Sequence, residues 1–474
     1  MSVFLQKLLL YVPVKMVPAV SGVFLVFFLY RSFPEGQYIS YSVSVFCSLI
    51  AAQLCAGWVG NSFIYYYSGV KERGSFTSNC ICMILFIAPI ASSLAAIVSV
   101  FFVVGEGFFV YVWLLCFSQI LFFFLSSTCQ AGFLVKQQLV AVLLQTLAQI
   151  GLVMFLFRYV DIDFRYALLA STVGYTVSVL YMLFCVLRLY EVLNPFSSVE
   201  LFKRDLKLVY QYGAALSPWI LGMLVMAGAD RFAIGYYGVE YGDSYLSLKD
   251  LFVGGAGLLS MPLLMMVHPF VINKFREGKF AIEIIESSSS LLIVAFSLLW
   301  CVLYFVGFDF FERMTGKKIG ASIIIIFYAF LGVFLNSTAV YFQKRLEVHR
   351  RMKLLAYLSL GAAIMSIGFA WVGGRLWGLY GVSLGVLLAQ FIYFGFVVAS
   401  MYKRLNVYKA FAFPMIVSFL AFSVGYVLHL SLQLERGDNL WWKASIYWVI
   451  GFSIVSLISF WKGVRWAEFM KATL

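Results

Sequence analysis

The sequence is poor in charge. Only 12% of its 474 residues are Asp, Glu, Lys or Arg, whereas such residues make up about a quarter of a typical soluble domain. Hydrophobic residues account for 63% of the chain and its mean hydropathy is +0.96. A globular domain cannot bury so much apolar surface, so the composition excludes a soluble protein and predicts one embedded in a membrane.

Motifs that carry chemistry are also missing. The eight cysteines include no CxxC pair, so neither a disulfide framework nor a zinc site is indicated. There is no Walker loop, no HExxH and no GxSxG, and no carboxylate pair falls on one helix face. We therefore expect neither an enzyme nor a cofactor. Nucleic acid is not an expected partner, because no soluble basic domain exists to bind it.

In place of these features, the chain has apolar windows long enough to cross a hydrocarbon core of ~30 Å. They predict an all-α polytopic membrane protein with about 14 transmembrane helices. The expected spans are 9–30, 38–67, 79–104, 108–130, 138–157, 166–187, 213–236, 246–272, 284–306, 320–342, 354–372, 379–400, 411–431 and 444–461.

Charge asymmetry orients these spans. With the N-terminus inside, the inner segments carry 22 of the 34 Lys and Arg residues and the outer segments carry ten, Lys249 among them. Because inner loops of membrane proteins are enriched in Lys and Arg, both termini are predicted to be cytoplasmic. The net charge of +13 then lies mainly on the cytoplasmic face, where anionic membrane lipids are compatible partners.

A bilobed organisation is expected from the position of the longest inner connection. It contains Asn194-Pro195 and the charged run LFKRDLK, and it follows six predicted helices. The expected units are a six-helix lobe (1–187), a cytoplasmic linker (188–212), a second six-helix lobe (213–402) and two additional helices with a cytoplasmic tail (403–474).

A weak internal repeat supports two pseudo-symmetric lobes. Offset by 200 residues, VPAVSGVFLVFFLYR (17–31) lies over SPWILGMLVMAGADR (217–231). The match pairs Pro18 with Pro218, Gly22 with Gly222 and Arg31 with Arg231. Each proline removes a backbone hydrogen bond inside a span, which gives either a hinge or a static kink.

Polar residues inside predicted spans are candidate substrate contacts, because a charge among lipid tails usually faces a cavity. Lys15 lies in the first span, where it either lines a cavity or extends to the interface. Gln53 and Asn61 share a face of the second helix, as Gln145 and Gln149 do of the fifth. These amides either bond sugar hydroxyls or hold helices together.

The run AGADRFAIGYY (227–237) places Asp230 and Arg231 side by side near the outer end of the seventh span. Asp230 is the acidic residue singled out within a predicted span, and Arg231 is the apparent second copy of Arg31. The pair is either an outer-mouth binding site, in which Asp230 neutralises Arg231 until cargo arrives, or a simple anchor.

The chain resembles the Wzx-type O-antigen and polysaccharide flippases of the multidrug/oligosaccharidyl-lipid/polysaccharide exporter (MOP) superfamily. The likeness is carried by the span pattern, by YRSFPEGQYISY at the end of the first helix and by YGAALSPWILGMLVMAGADRFAIGYYG at the start of the second half. The turn of that family occurs here as Pro34-Glu35-Gly36-Gln37-Tyr38, one position out of register, whereas Asp230-Arg231 fits in place.

The resemblance implies a flippase of the bacterial inner membrane that works by alternating access. Its cargo would be an oligosaccharide on a polyprenyl diphosphate, moved from the cytoplasmic to the outer leaflet, with or without a coupling cation. Lys15, Arg31 and Arg231 would then meet the diphosphate or acidic sugars. Two alternatives remain: a cation-coupled multidrug antiporter of the same superfamily, and a membrane-embedded polysaccharide polymerase or ligase.

Overall fold

The structure is a computed structural model that describes residues 3–190, 199–276, 282–349 and 351–400, with short pieces between 410 and 423. All regular secondary structure in this part of the chain is helical. The helices are α1 (Val3–Ser32), α2 (Gln37–Tyr67), α3 (Arg73–Val100), α4 (Phe109–Ala131), α5 (Val135–Tyr159), α6 (Phe164–Tyr190), α7 (Val199–Tyr237), α8 (Gly242–Arg276), α9 (Ile282–Val302), α10 (Phe308–Thr315), α11 (Ile323–Phe342), α12 (Lys344–Val348) and α13 (Met352–Ala399). A π-helical turn, Leu303–Gly307, joins α9 to α10.

The helices are long enough to confirm a multi-pass, all-α membrane protein. Within the described residues, eight helices are long and apolar enough to span a bilayer, or nine when the bent α7 counts as one span. The total of fourteen stays a prediction. The last two predicted spans, 411–431 and 444–461, lie outside the described residues apart from the short pieces before 424.

Helix α13 contains two predicted spans, 354–372 and 379–400, separated by a sharp break. The backbone leaves the helical conformation at Trp377 and Gly378, and Gly378 has a φ of 56°, which favours a residue without a side chain. The two arms then pack closely. A Cβ atom on Gly381 would lie 2.1 Å from the carbonyl oxygen of Gly373, so the arms touch through their backbones.

Helix α7 begins at Val199, well before the predicted start at 213. Most of the connection predicted at 188–212 is therefore helical, because α6 also continues to Tyr190. The charged run LFKRDLK reads as a loop by hydropathy, but it is amphipathic. Its Asp205 is buried while Lys203 and Lys207 are exposed, so the helix continues along the bundle and bends by 44° before 216.

We call α1–α6 the first half and α7–α13 the second half. The halves meet through crossed contacts, in which α1 packs on α8 and α7 packs on α2. Within their own halves, α1 also packs on α5 and α7 on α13. The helix that opens each half thus lies against the second helix of the other, which places α1, α2, α7 and α8 at the interface.

The residues paired by the 200-residue offset occupy different surroundings. Pro18 and Pro218 both lie inside helices. Gly22 has open space around it, whereas a Cβ on Gly222 would lie 2.5 Å from the backbone of Ser359 in α13. The glycine of the second half is needed for close helix packing, and that of the first half is not.

Candidate functional site

Four charged residues form a cluster in the α7–α8 hairpin, which we call the quartet: Asp230, Arg231 and Lys249, which are buried, and Asp250, which is half-buried. Asp230 lies seven residues before the end of α7, and Lys249 lies seven residues after the start of α8. At a rise of 1.5 Å per residue, both are about 10 Å from the connecting turn. The antiparallel hairpin therefore brings the two pairs to the same depth.

Asp230 has a complete set of partners. Its carboxylate forms an ion pair with the Lys249 ammonium, and its Oδ2 accepts a hydrogen bond of 2.8 Å from the Tyr245 hydroxyl. Lys249 Nζ also donates to the carbonyl oxygen of Ala227 at 2.8 Å. The Asp230 side chain is fully buried and that of Lys249 is 2% exposed, so both charges are compensated inside the protein.

Arg231 connects the second half to the first. Its guanidinium pairs with Asp250 in α8, and its Nε donates to Ser42 Oγ in α2 at 3.1 Å. Its Cζ lies 4.7 Å from the centroid of the Phe46 ring, a cation–π distance. Phe46 comes this close because Gly228 has no side chain, since a Cβ there would fall 1.9 Å from the ring.

Asp250 is held from both sides of the interface. In addition to Arg231, it accepts hydrogen bonds from the Tyr38 hydroxyl at 3.0 Å and from the Ser42 hydroxyl at 3.3 Å. Both hydroxyls belong to α2. Separation of the halves at this level would thus remove neutral partners from Asp250 and Arg231 while leaving each charge paired with the other.

The quartet is electrically neutral, with two cations and two carboxylates. Removing one partner of a buried ion pair lowers the free energy of unfolding by about 3–5 kcal/mol, because the remaining charge stays uncompensated. The expectation that Asp230 neutralises Arg231 stays a prediction, and the structure shows which atoms are in contact. The Asp230 carboxylate pairs with Lys249, and it meets Arg231 only through the main-chain N–H of Arg231, at 3.0 Å.

A second contact between the halves holds the α1–α2 turn from the second half. The Asp243 carboxylate accepts hydrogen bonds from the backbone N–H groups of Gly36, at 2.5 Å, and Ile39, at 2.8 Å. These are free donors at the start of α2, where a negative charge is favoured.

Lys317 completes this contact at the other side of the turn. Its Nζ donates to the carbonyl oxygens of Tyr30, at 2.7 Å, and Phe33, at 2.6 Å, at the end of α1. Burial lowers the pKa of Lys317 from its ordinary value, and the nearby Asp243 carboxylate opposes that shift. We call Asp243 and Lys317 together the rim clamp.

The predicted cations are not gathered in one place. Arg31 is exposed at the end of α1, where its Nη1 lies 3.5 Å from the carbonyl oxygen of Met314, and it does not reach the quartet. Arg31 and Arg231 therefore differ in burial and partners despite their match in the repeat. Lys15 lies on α1, but its side chain is outside the described part of the structure.

The predicted amides divide into two groups. Gln53 is half-buried and Asn61 exposed on α2, whose Gly57 faces Ile220 of α7 across the interface. Gln145 and Gln149, in contrast, lie within the first half.

Gln145 Nε2 donates to Gln149 Oε1 at 3.4 Å, and Gln149 Nε2 donates to Ser171 Oγ at 2.8 Å. These two amides thus connect α5 to α6, which is the helix-packing alternative of the sequence analysis.

Sequence reasoning did not find Lys249 and Asp250. The charge count places Lys249 in an outer segment, and Asp230 alone is singled out as an acidic residue within a span, although the predicted span 246–272 contains both Lys249 and Asp250. The adjacent Lys-Asp in α8 mirrors the Asp-Arg in α7 at equal distance from the α7–α8 turn. Hairpin geometry applied to that spacing places the two pairs at the same depth.

The helices are arranged as in membrane transporters of known structure. Over its whole length the chain is similar to the lipid II flippase MurJ in its inward closed conformation, with a TM-score of 0.72 and 14% sequence identity, covering 99% of this chain and 100% of that one.

Two MATE transporters also share the fold. An inward-facing multidrug resistance MATE family transporter of the MOP superfamily gives a TM-score of 0.58 at 13% identity, covering 90% of this chain and 96% of that one. A eukaryotic MATE transporter gives 0.56 at 14% identity, covering 89% and 98%.

At these identities the comparisons establish the fold. No protein-family model matches the chain, and no curated protein sequence matches it. The chain thus shares its fold with solved transporters, one of which belongs to the MOP superfamily, and both the MOP assignment and the narrower Wzx-type assignment stay predictions.

Proposed function

We propose that this protein is a flippase for a lipid-linked oligosaccharide, carrying a polyprenyl-diphosphate-linked repeat unit of a surface polysaccharide, such as O-antigen, across the bacterial inner membrane. The observation that supports this most is likeness over the whole chain to a lipid II flippase, with a TM-score of 0.72 against 0.58 for a MATE transporter. The flippase and the MATE transporter have the same fold, so the fold alone is compatible with either function.

Alternating access is supported by the kind of contact that joins the halves. In the N-in orientation predicted from charge, the rim clamp and the quartet lie towards the outside. The rim clamp is two polar side chains on backbone atoms, and the quartet touches α2 through hydroxyls and a ring. Such contacts exchange for water at a limited cost, because hydrogen bonds to charged groups contribute about 1.5–3 kcal/mol net each.

The quartet suggests how the protein binds its cargo. When α2 moves away, Arg231 loses Ser42 and Phe46 and retains Asp250. A diphosphate then competes with Asp250 for the guanidinium, whose planar fork suits phosphate oxygens. Lys15 and Arg31 remain proposed diphosphate contacts, and Gln53 and Asn61 remain proposed contacts to sugar hydroxyls. Gln145 and Gln149 are reassigned to packing between α5 and α6.

The principal rival is a cation-coupled multidrug antiporter. Coupling to a cation generally requires a carboxylate that the ion can reach. In the quartet, both Asp230 and Asp250 are bound by basic side chains, so neither offers an open cation site in this conformation. This observation favours the flippase. An enzyme that polymerises or ligates glycans receives no support from the neighbours named above, which are transporters.

The decisive experiment is deletion of the gene with analysis of the lipid-linked glycans. We expect surface glycan to disappear and a polyprenyl-diphosphate glycan to accumulate in the cytoplasmic leaflet, where mass spectrometry identifies it. Normal surface glycan in the deletion strain would contradict the proposal. Drug efflux by the purified protein in vesicles, driven by a sodium or proton gradient, would support the antiporter instead.

A further inference from the structure

The first part of α7 carries a surface that the proposed function does not use. We call residues 199–214 the α7 arm, since the helix bends by 44° between it and residues 216–237. The two parts belong to one helix, and the second part is an apolar, predicted span. The arm therefore lies directly beside the end of a membrane-crossing segment.

One face of the arm is fixed to the first half. Asp205 is fully buried and accepts a hydrogen bond of 2.8 Å from the Asn79 amide in α3. The carbonyl oxygen of Val209 accepts from Trp58 Nε1 at 3.1 Å and from Ser62 Oγ at 3.0 Å, both in α2. These contacts set the rotation of the arm and so determine which side chains face away from the protein.

The opposite face presents two lysines, Lys203 and Lys207, one helical turn apart. Both are exposed, and neither makes an ion pair or hydrogen bond with the described residues. The neighbouring Arg204 is already engaged, because its guanidinium lies 3.0 Å from Asp205 Oδ1. Glu200 is exposed on the same edge as Arg204. The lysines are thus a pair of cations available for an outside anion.

An apolar edge runs beside the lysines. Val199, Leu206 and Tyr210 have relative exposures of 70%, 37% and 61%, and helical spacing places the three along one side of Lys203. Cations next to exposed apolar and aromatic side chains are typical of helices that lie in the membrane interface. A free anion would contact only the two lysines. A lipid would contact the lysines with its phosphate and the apolar edge with its acyl chains.

We propose that the α7 arm binds anionic phospholipid, with the phosphate between Lys203 and Lys207 and the acyl chains beside Val199, Leu206 and Tyr210. Charge complementarity and the position of the arm at the end of a span identify this occupant. In the predicted topology the leaflet is the cytoplasmic one, whose negative surface contributes about 1 kcal/mol per nearby lysine. The lipid would hold the arm at the membrane surface while the rest of the second half moves.

The test uses the full-length protein in nanodiscs of equal parts phosphatidylglycerol and phosphatidylcholine. Native mass spectrometry then counts the phosphatidylglycerol molecules retained per protein. Lys203→Gln with Lys207→Gln is expected to lower the affinity for the retained lipid about fivefold per lysine, the equivalent of 1 kcal/mol each. Lys203→Arg with Lys207→Arg keeps the charge and is expected to retain the lipid, which separates binding from folding.

Two controls make the result specific to the arm. Lys71→Gln with Lys136→Gln removes two other exposed cations of the first half and is expected to leave the retained lipid unchanged. An equal loss in this control would show a general charge effect and overturn the proposal. Displacement of the lipid by millimolar inorganic phosphate, or unchanged binding in Tyr210→Ala, would reveal a free-anion site and overturn it as well.

Discussion

The carboxylate of Asp243, in the second half, lies 2.8 Å from the backbone nitrogen of Ile39, in the first half. It serves as an N-terminal cap for a helix to which it does not belong. Capping side chains normally come from the residue that precedes the helix, which here is Gly36 with a φ of 81° and no side chain. The start of α2 thus depends on the partner half for its first hydrogen bonds.

Replacement of Asp243 should weaken this end of the interface. Asp243→Ala leaves the N–H groups of Gly36 and Ile39 without their acceptor, so we expect a loss of about 1 kcal/mol, the usual cost of an N-cap. The melting temperature of the detergent-solubilised protein measures it. Glu35→Ala removes an exposed acid from the same turn and should change little. Equal effects of the two substitutions would show that Asp243 acts by general charge alone.

The Asp230–Lys249 pair should behave as a unit. Lys249→Met leaves a fully buried carboxylate without its cation, and we expect a loss of about 3–5 kcal/mol, enough to lower the yield of folded protein sharply. Lys249→Met combined with Asp230→Asn removes both charges and should recover most of that loss. Size-exclusion profiles after heating measure both variants. Additive losses in the double variant would argue against direct pairing.

Arg31 separates function from stability more cleanly than Arg231. Its side chain is exposed and its hydrogen bond to the Met314 carbonyl is long at 3.5 Å, so Arg31→Ala should alter the free energy of unfolding by less than about 0.5 kcal/mol. If Arg31 meets the diphosphate, glycan export in the complemented deletion strain should fall several-fold. Arg313→Ala, an exposed cation of α10, is the matched control. Full export in both variants would make Arg31 an anchor.

The close contact between the two arms of α13 gives a prediction that concerns folding alone. Gly381→Ala places a Cβ about 2 Å from the Gly373 carbonyl oxygen, a contact that requires the two backbones to separate, so the melting temperature should fall. Gly368→Ala, in the same helix with nothing within 4 Å of its new Cβ, should be neutral or slightly stabilising, because alanine favours a helix by up to ~1 kcal/mol over glycine. A tolerated Gly381→Ala would contradict the close approach.

Apolar windows are sufficient to predict most of the long helices. Spans such as 38–67 and 108–130 agree with α2 and α4 within a residue, because a bilayer requires each crossing segment to be both long and apolar. The start of α7 is not predicted, because this part of the helix is not apolar throughout. Residues 199–214 carry charges on one face and buried side chains on the other, so a hydropathy average classifies them as a connection.

The site was predicted in part. Asp230 and Arg231 were identified because charges stand out against an apolar run, but their side-chain partners lie in another helix. Which side chains pair depends on how each helix of the hairpin is rotated and on how far each residue lies from the α7–α8 turn. Only that distance can be counted along the sequence. The separate surroundings of Arg31 and Arg231 show the same limit, since a sequence match fixes neither burial nor partner.

The hydrogen bonds of the rim clamp to the first half all end on main-chain atoms: two N–H groups at the start of α2 and two carbonyl oxygens at the end of α1. Lys317 Nζ also lies 5.0 Å from the centroid of the Tyr30 ring. Any residue except proline supplies the same N–H group, and every residue supplies the same carbonyl. These hydrogen bonds therefore do not depend on the side chains of the α1–α2 turn, in which Gly36 alone is restricted by its φ of 81°. The other residues of the turn can vary while the strength of closure is set from the other half, by one acid and one lysine.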